Sequence, residues 1–181
     1  SVNTLYLKNN KVVGHNTDII GFETSIEKIN YDVSNKEVLI LGAGGVVPSI
    51  IFALNKMKVS KIKISNRTKN KAENLKEHFK NIELTEWGEV PNVDMIINAT
   101  SIGLKKDDVM KLDFSLMSGN KFFYDVIYNP NETNFLKIGK ELGNKTLNGN
   151  LMFIYQALSA FKIWHRIEPD VNKGVIKLLD R

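Results

Sequence analysis

The amino-acid sequence predicts an α/β fold, a doubly wound and mostly parallel sheet with helices on both faces. Short apolar segments typical of strands alternate with longer helical patterns along the chain, and this order favours parallel strands joined by crossover helices. An apolar run, residues 38–41, enters a glycine cluster and a helical pattern follows. That strand–turn–helix order is typical of a Rossmann-like dinucleotide-binding unit.

The glycine cluster is the first candidate for cofactor binding. Gly42 lets the chain turn sharply off the strand, and Gly44 and Gly45 let backbone N–H groups approach a pyrophosphate. The helix at about residues 47–57 directs its positive N-terminal end towards the same anion. The dinucleotide fingerprint has a small residue where this chain has Val47, so an ordinary glycine-rich turn stays an alternative.

A polar segment after the next strand, residues 61–65, predicts which dinucleotide is bound. The end of this strand meets the adenosine ribose, where a carboxylate binds the 2′-hydroxyl of NAD and a cation accommodates the 2′-phosphate of NADP. The chain has neutral Asn66 there, followed by Arg67, Thr68 and, one turn on, Lys71. The flat guanidinium of Arg67 suits a phosphate. The segment therefore favours NADP, and the alternative is a solvated basic turn.

The remaining elements follow from apolar periodicity and turn signals. The other strands are expected as a hairpin of residues 5–7 and 11–13 and as single strands at residues 37–41, 82–87, 93–98, 122–127 and 145–147. The other helices are expected at about residues 18–29, 72–80, 133–142, 151–167 and 170–180. The helix at 151–167 is apolar nearly all round, which is typical of burial on more than one side. Residues 105–120 are polar and weakly patterned, which predicts a surface loop.

Polar residues at the ends of these elements are candidates for chemistry. Asp18 lies in the first turn of a helix, and on position alone its carboxylate complements the helix dipole. Thr100 and Ser101 follow a buried strand, at the edge where α/β sheets bind ligands, although both are also ordinary turn residues. Gln156 is a polar exception in an apolar helix, and a core amide with satisfied hydrogen bonds is the alternative interpretation.

Composition limits the class of protein. The chain has 181 residues, 43% of them hydrophobic, which is enough for a core. Its net charge of +5 is spread over mixed charges, which indicates solvated faces and suits an anionic ligand better than a nucleic acid. The absence of cysteine excludes disulfides and cysteine-bound metals, and the three scattered histidines predict no metal site. No membrane-spanning run or signal peptide is seen, and a cytoplasmic location is expected.

Seven short blocks, taken in their order, make the chain similar to the shikimate dehydrogenase family. They are residues 2–4 (VNT), 14–22 (GHNTDIIGF), 42–45 (GAGG), 66–68 (NRT), 98–103 (NATSIG), 125–130 (DVIYNP) and 148–157, which opens with NG and ends with QA. The N-T-D-x-x-G-F and N-A-T-S-x-G patterns are the most specific, and the resemblance spans essentially the whole chain. It implies an oxidoreductase for the reversible, NADP-dependent reduction of 3-dehydroshikimate to shikimate in aromatic amino-acid biosynthesis.

The resemblance also implies roles for individual residues. It makes Asp18 the catalytic carboxylate, which touches substrate hydroxyls as well. Further substrate-binding positions are matched by Asn3, Tyr128 and Gln156. The positions matched for cofactor binding are Gly42, Gly44, Gly45, Asn66, Arg67, Thr68, Lys71, Thr100, Ser101, Gly149 and Met152.

The chain departs from the family pattern in several places. Val47 replaces a small residue, Leu104 replaces a common methionine, and residues 150–151 (NL) stand where Leu-Gly is frequent. The family's catalytic lysine and its serine-rich carboxylate-binding loop precede the block at residues 2–4, so we expect a truncated chain that is nearly inactive by itself. We expect residues 1–17 to be a remnant of the substrate domain, 18–149 to be the NADP-binding domain, and 150–181 to be helices that pack back towards the substrate domain.

Two other functions stay open. The first is a non-catalytic NADP-binding or sensor module, against which Asp18, Asn3 and Gln156 argue, because a pure binder does not need them. The second is a quinate/shikimate dehydrogenase with looser cofactor choice, which Asn66 and Arg67 disfavour because NAD users tend to have an acidic residue there. The expected partner is a small-molecule substrate, not a nucleic acid or a membrane, and the assembly stays open between a monomer and a homodimer.

Overall fold

The chain forms a parallel sheet flanked by helices, with a separate hairpin at its start. The computed structural model describes residues 1–105 and 107–178. The strands are β1 (Thr4–Lys8), β2 (Lys11–His15), β3 (Glu37–Leu41), β4 (Lys61–Ser65), β5 (Ile82–Thr85), β6 (Met95–Asn98), β7 (Phe122–Asp125) and β8 (Lys145–Leu147). The helices are α1 (Asp18–Lys28), α2 (Val47–Lys56), α3 (Lys69–His78), α4 (Asn134–Glu141), α5 (Asn150–His165) and α6 (Lys173–Lys177), with a short 3₁₀ turn at Ser115–Met117.

The order of the strands confirms the predicted fold class. In the described part of the chain, the larger sheet runs β5-β4-β3-β6-β7-β8, and all neighbours in it are parallel. This is the strand order of doubly wound dinucleotide-binding proteins. The order reverses between β3 and β6, where Leu41 pairs with Ser65 on one side and with Asn98 on the other. Loops leaving the carboxyl ends of β3, β4 and β6 therefore meet at one edge.

Both faces of the sheet are buried, which explains the unbroken apolar runs in its strands. Along β3, Val38 and Ile40 point into a core shared with α1 and α2, where Phe22 and Ile50 are fully buried. The alternate residues of β3, Leu39 and Leu41, point into a second core on the opposite face. The sheet is thereby a rigid support for the loops at its edge.

The hairpin β1–β2 is antiparallel and has the predicted short turn. Asn9 and Asn10 both have positive φ, 50° and 60°, which is the backbone conformation of the tight turns in hairpins with a two-residue loop. The hairpin leads directly into α1, so it fixes the position of the first turn of that helix. Trp164 of α5 donates from Nε1 to the carbonyl of Leu5 at 2.9 Å, and this bond ties the hairpin to the last long helix.

The segment at 105–120 differs from the predicted surface loop. Met110, Phe114 and Met117 are almost fully buried and belong to the core on the Leu39 side of the sheet. The ring of Phe114 contacts those of Phe123 and Phe135, with centroids 5.7 and 5.9 Å apart. These three residues are spaced i, i+4 and i+7, as on one face of a helix, but only Ser115–Met117 forms a helical turn. Their spacing alone therefore does not show how they anchor the segment.

The C-terminal helices also differ from the predictions. Met152 of α5 is buried in the core shared with α1, and Ile154 and Ala160 are also buried, but Phe161 and Trp164 are 39% and 55% exposed, so α5 is not buried all round. The last helix is shorter than residues 170–180: α6 spans Lys173–Lys177, has no buried residue and is capped by the Asn172 side chain. Residues 179–180 of the predicted helix lie outside the described residues. Smaller boundary shifts are the end of β5 at Thr85 and the start of α3 at Lys69.

Candidate active site

A cleft of about 410 Å³ opens at the carboxyl edge of the sheet, where the strand order reverses. Doubly wound sheets bind their ligands at this position. Three loops form its walls: the glycine turn after β3, the polar loop after β4 and the loop after β6. The lining residues are Gly42, Ala43, Gly44, Asn66, Arg67, Thr68, Lys71, Trp87, Ala99, Thr100, Ser101 and Ile102. Most of the predicted cofactor residues are thus brought together, whereas Gly45, Gly149 and Met152 do not line this cleft.

The glycines of the turn after β3 serve two different structural purposes. Gly42 has a φ of +112°, and a Cβ on it would lie 2.7 Å from the carbonyl oxygen of Ala99, so it allows the loops after β3 and β6 to touch. A Cβ on Gly44 would find its nearest neighbour only at 3.9 Å, and one on Gly45 would find none within 4 Å. These two glycines leave an open cradle at the N-terminus of α2, which suits a phosphate group.

The loop after β4 and the first turn of α3 present two cations that no carboxylate neutralises within residues 1–105 and 107–178. Lys69 forms an ion pair with Glu86 at 3.2 Å, whereas Arg67 and Lys71 are exposed and form no ion pair there. Asn66 donates to the carbonyl of Thr68 at 2.7 Å and so holds the loop in shape. An anion such as a 2′-phosphate would find two unpaired positive groups here.

The third wall, after β6, is held by its own side chains. The Thr100 hydroxyl donates to Asn98 Oδ1 at 2.7 Å and accepts from the N–H of Ile102 at 3.0 Å. The hydroxyl of Thr100 therefore shapes the loop and is occupied within it. Ser101 is exposed at the cleft, and it is the side chain of this pair with a free hydroxyl among the described contacts.

A second polar cluster joins the hairpin, α1 and α5. The Asn3 side-chain amide donates from Nδ2 to Asp18 Oδ1 at 2.9 Å, and its Oδ1 accepts from the backbone N–H of Thr17 at 2.9 Å. The Thr17 hydroxyl lies 3.4 Å from Gln156 Oε1. The structure thus brings together Asn3, Asp18 and Gln156, which are far apart in sequence. Thr17, which sequence reasoning did not single out, is fully buried between them.

The carboxyl of Asp18 titrates differently from a free aspartate. Partial burial raises its pKa, and this effect outweighs the Asn3 hydrogen bond, which lowers it. Asp18 therefore keeps its proton to a higher pH than an exposed aspartate does. A carboxyl whose pKa moves towards neutrality exchanges protons more readily with a substrate near pH 7.

The remaining predicted residues, Tyr128, Gly149 and Met152, differ in their exposure and contacts. Tyr128 is 39% exposed and stacks on Phe153 of α5, with ring centroids 4.4 Å apart. A Cβ on Gly149 would lie 2.2 Å from the carbonyl oxygen of Val126, so this glycine permits the close approach of α5 to the loop after β7. Met152 is buried in the core. The described contacts of Gly149 and Met152 are thus packing contacts.

Comparison with known proteins identifies the family of the chain. Residues 24–132 match the family model described as shikimate / quinate 5-dehydrogenase. The chain belongs to this family. It is 58% identical over 180 residues to shikimate dehydrogenase (NADP(+)) from Pelagibacter ubique strain HTCC1062, covering 99% of this chain and 68% of that protein. It is 41% identical over 175 residues to the enzyme of that name from Caldicellulosiruptor saccharolyticus, covering 92% of this chain and 63% of that protein.

A solved structure supports the same assignment. The crystal structure of shikimate dehydrogenase from Aquifex aeolicus has a TM-score of 0.86 and 38% identity, and the match covers all of this chain and 66% of the other. The chain thus spans about two thirds of the length of its shikimate dehydrogenase relatives. The resemblance predicted from the seven sequence blocks is confirmed.

The buried end of β7 holds a carboxyl group that the family resemblance did not assign. Asp125 is fully buried, and its carboxyl accepts from Thr133 Oγ1 at 2.6 Å, from Asn98 Nδ2 at 3.1 Å and from the N–H of Ile127 at 3.0 Å. Through Asn98 it is connected to Thr100 of the cleft wall. One signal could have found it, because Asn98 and Asp125 both end buried strands at the ligand-binding edge.

Residues 1–105 and 107–178 contain neither a metal-binding cluster nor a membrane-spanning helix. No group of three or more His, Asp or Glu side chains lies close enough together to hold a metal ion. None of the helices within this part of the chain has the length and apolar character required to cross a membrane.

Proposed function

We propose that the chain is the cofactor-binding part, with some substrate-binding residues, of an NADP-dependent shikimate dehydrogenase that interconverts 3-dehydroshikimate and shikimate. The observation that supports catalysis is the hydrogen-bonded cluster of Asn3, Asp18 and Gln156. A protein that only bound a dinucleotide would need the cleft but not this cluster. The names of its relatives point to the same reaction class.

The preference for NADP rests on the charges of the loop after β4. An NAD-binding site places a carboxylate near the ribose 2′-hydroxyl, but this loop has neutral Asn66 and the unpaired cation of Arg67, and the first turn of α3 adds Lys71. The open cradle at Gly44 and Gly45 would take the pyrophosphate. A related shikimate dehydrogenase, 35% identical with a TM-score of 0.85, has been solved in complex with NADP+.

The chain's own residues would position the substrate and handle one proton. When bound, NADP supplies the hydride acceptor or donor. Asp18 would accept the proton of the substrate hydroxyl during oxidation and return it during reduction, which its raised pKa favours. Asn3 holds the Asp18 carboxyl from one side. Gln156, joined to Asn3 through Thr17, would offer its amide to a further substrate hydroxyl.

The test of the cofactor assignment is Arg67→Ala, with Lys69→Ala as the matched control. A hydrogen bond to a charged group contributes about 1.5–3 kcal/mol, so NADP⁺ affinity should fall about 10- to 150-fold in Arg67→Ala. NAD⁺ affinity should barely change. Lys69 is already paired with Glu86, so its removal should change NADP⁺ affinity far less. Equal losses for both cofactors, measured by calorimetry, would contradict the assignment.

The test of catalysis is Asp18→Asn in the protein as its organism produces it. General acid–base catalysis contributes typically 10²–10⁴-fold, so shikimate-dependent NADP⁺ reduction should fall by about that factor while NADP⁺ affinity is unchanged. The competing sensor function predicts no NADP⁺ reduction in either protein. A quinate/shikimate dehydrogenase would instead reduce NAD⁺ with quinate, and the unpaired cations of the cleft disfavour it.

We also propose a cytoplasmic location and a homodimer. A cytoplasmic location follows from the biosynthetic reaction proposed above, since its substrate and cofactor are small intracellular metabolites.

The homodimer is supported by the exposed apolar side chains of the last helices, among them Phe161, Trp164 and Leu178, which are 39%, 55% and 61% exposed. Exposed apolar groups in one region favour association. Light scattering across a concentration series should give twice the mass of one chain.

A further inference from the structure

An aromatic side chain without an assigned role lines the cofactor cleft. Trp87 lies two residues after the end of β5, which is the strand next to β4, and it is half-buried. It shares the cleft with Arg67, Lys71 and Ile102. The indole therefore lines the same cleft as the two cations that would bind the ribose 2′-phosphate.

The backbone around Trp87 is fixed to the loop after β4. The carbonyl of Glu86 accepts from Ser65 Oγ at 3.2 Å, and the Glu86 carboxylate pairs with Lys69 at 3.2 Å. The N–H of Glu89 closes a turn onto the Glu86 carbonyl at 3.2 Å, and Gly88 provides the positive φ that this turn needs. Trp87 is thus held at a defined position relative to the predicted 2′-phosphate site.

The indole of Trp87 has no aromatic or hydrogen-bonding partner within the described residues. The other tryptophan, Trp164, donates from Nε1 to a backbone carbonyl, and the rings of Phe114, Phe123 and Phe135 pack on one another. No such contact involves Trp87 among residues 1–105 and 107–178. A large flat ring that lines a cleft and has no such partner can stack with a planar ligand group.

We propose that Trp87 recognises the adenine base of the dinucleotide by contact of the indole ring with the base. This inference rests on the proposed NADP-binding function. The base and the 2′-phosphate are attached to neighbouring carbons of one ribose, so a phosphate bound by Arg67 and Lys71 places the base in the same cleft. Trp87 and Ile102 offer the apolar surface that a base requires there.

The experiment uses the two tryptophans of the chain. In a Trp164→Phe variant, Trp87 is the remaining source of tryptophan fluorescence, and NADP⁺ should change its emission in a saturable way.

In Trp87→Ala, NADP⁺ affinity measured by calorimetry should fall about 5- to 150-fold, which is the range for loss of one stacked base. Trp87→Phe keeps a ring and should keep most of the affinity. Nicotinamide mononucleotide, which has no adenine, should bind equally to the parent chain, Trp87→Ala and Trp87→Phe.

The outcomes separate this inference from the proposed function. If NADP⁺ binds with unchanged emission of Trp87 and with unchanged affinity in Trp87→Ala, the adenine contact is wrong and NADP binding stands. If neither the parent chain nor any variant binds NADP⁺, both the adenine contact and the proposed NADP-binding function are overturned. Thermal melting followed by circular dichroism checks the fold, and Trp87→Phe provides the comparison if Trp87→Ala is unstable.

Discussion

Replacing Asp125 by asparagine should change how the stability of the chain depends on pH. The Asp125 carboxyl is fully buried and accepts hydrogen bonds from Thr133, Asn98 and the backbone of Ile127. Burial nevertheless outweighs these bonds and raises the pKa of Asp125 to about 6. An asparagine has nearly the same shape but no ionisation, so it removes the titration and leaves most of the packing in place.

The magnitude follows from the two protonation states. Burial moves the pKa of Asp125 from an ordinary value of 3.8 to about 6, which at about 1.4 kcal/mol per pH unit makes the ionised form about 3 kcal/mol less favourable in the folded chain. Between these two values the folded chain holds the proton while the unfolded chain has lost it. The contribution of Asp125 to stability therefore decreases as the pH rises through this window, and is fully lost above about pH 6.

The assay is urea unfolding followed by circular dichroism, at several pH values between 4 and 8. The free energy of unfolding of Asp125→Asn minus that of the unchanged chain should rise by about 2.5 kcal/mol over this range, because part of the effect of about 3 kcal/mol is already present at pH 4. Asp113→Asn is the matched control, because the pKa of this exposed carboxyl is lowered by hydrogen bonds from Ser115. Its difference should be small and of opposite sign, since a lowered pKa stabilises the folded chain at higher pH.

A difference that stays flat from pH 4 to pH 8 would refute the reasoning. It would mean that the three hydrogen bonds to the Asp125 carboxyl outweigh burial and keep the group ionised throughout. A constant offset between the two proteins is not decisive, because the asparagine also exchanges one accepted hydrogen bond for a donated one at Thr133.

Two further substitutions test the packing around the site. Gly42→Ala places a Cβ 2.7 Å from the Ala99 carbonyl oxygen at a φ of +112°, so the free energy of unfolding should fall by about 2 kcal/mol or more. Gly45→Ala, whose Cβ would have no neighbour within 4 Å, should leave the free energy of unfolding unchanged. Similar values for the two variants would show that the loops after β3 and β6 do not need the close approach. Tyr124→Phe removes a buried hydroxyl 2.8 Å from Ser25 Oγ and should cost about 1 kcal/mol; an equal cost in a Ser25→Ala background would contradict that bond.

The sequence predicted the regular parts of the fold because they depend on local patterns. β3 and β4 have the expected bounds, since apolar or alternating residues end there at Gly42 and Asn66. Segments held by isolated contacts were missed. Met110, Phe114 and Met117 anchor a mostly irregular loop to the core, although their spacing is that of a helical face. The exposure of one side of α5 was missed for a related reason, because hydrophobicity alone does not say what covers a helix.

The candidate site shows the same division. Short motifs placed the glycine turn, Arg67 and Asp18, because each lies within a few residues of a turn or a helix start. The hydrogen bonds from Thr17 to Gln156 and from Asn98 to Asp125 join residues 139 and 27 positions apart, so only the folded chain shows them. The assignment of Thr100 also changed in detail, since its hydroxyl is occupied within its own loop.

Titration of the chain with NADP⁺ and with NAD⁺ by calorimetry is the measurement that decides whether this cleft binds a 2′-phosphorylated dinucleotide. We expect NADP⁺ to bind at least ten times more tightly than NAD⁺, because Arg67 and Lys71 are free to pair with the extra phosphate. Equal affinities would contradict the proposed clamp. Tighter binding of NAD⁺ would favour the quinate/shikimate dehydrogenase alternative.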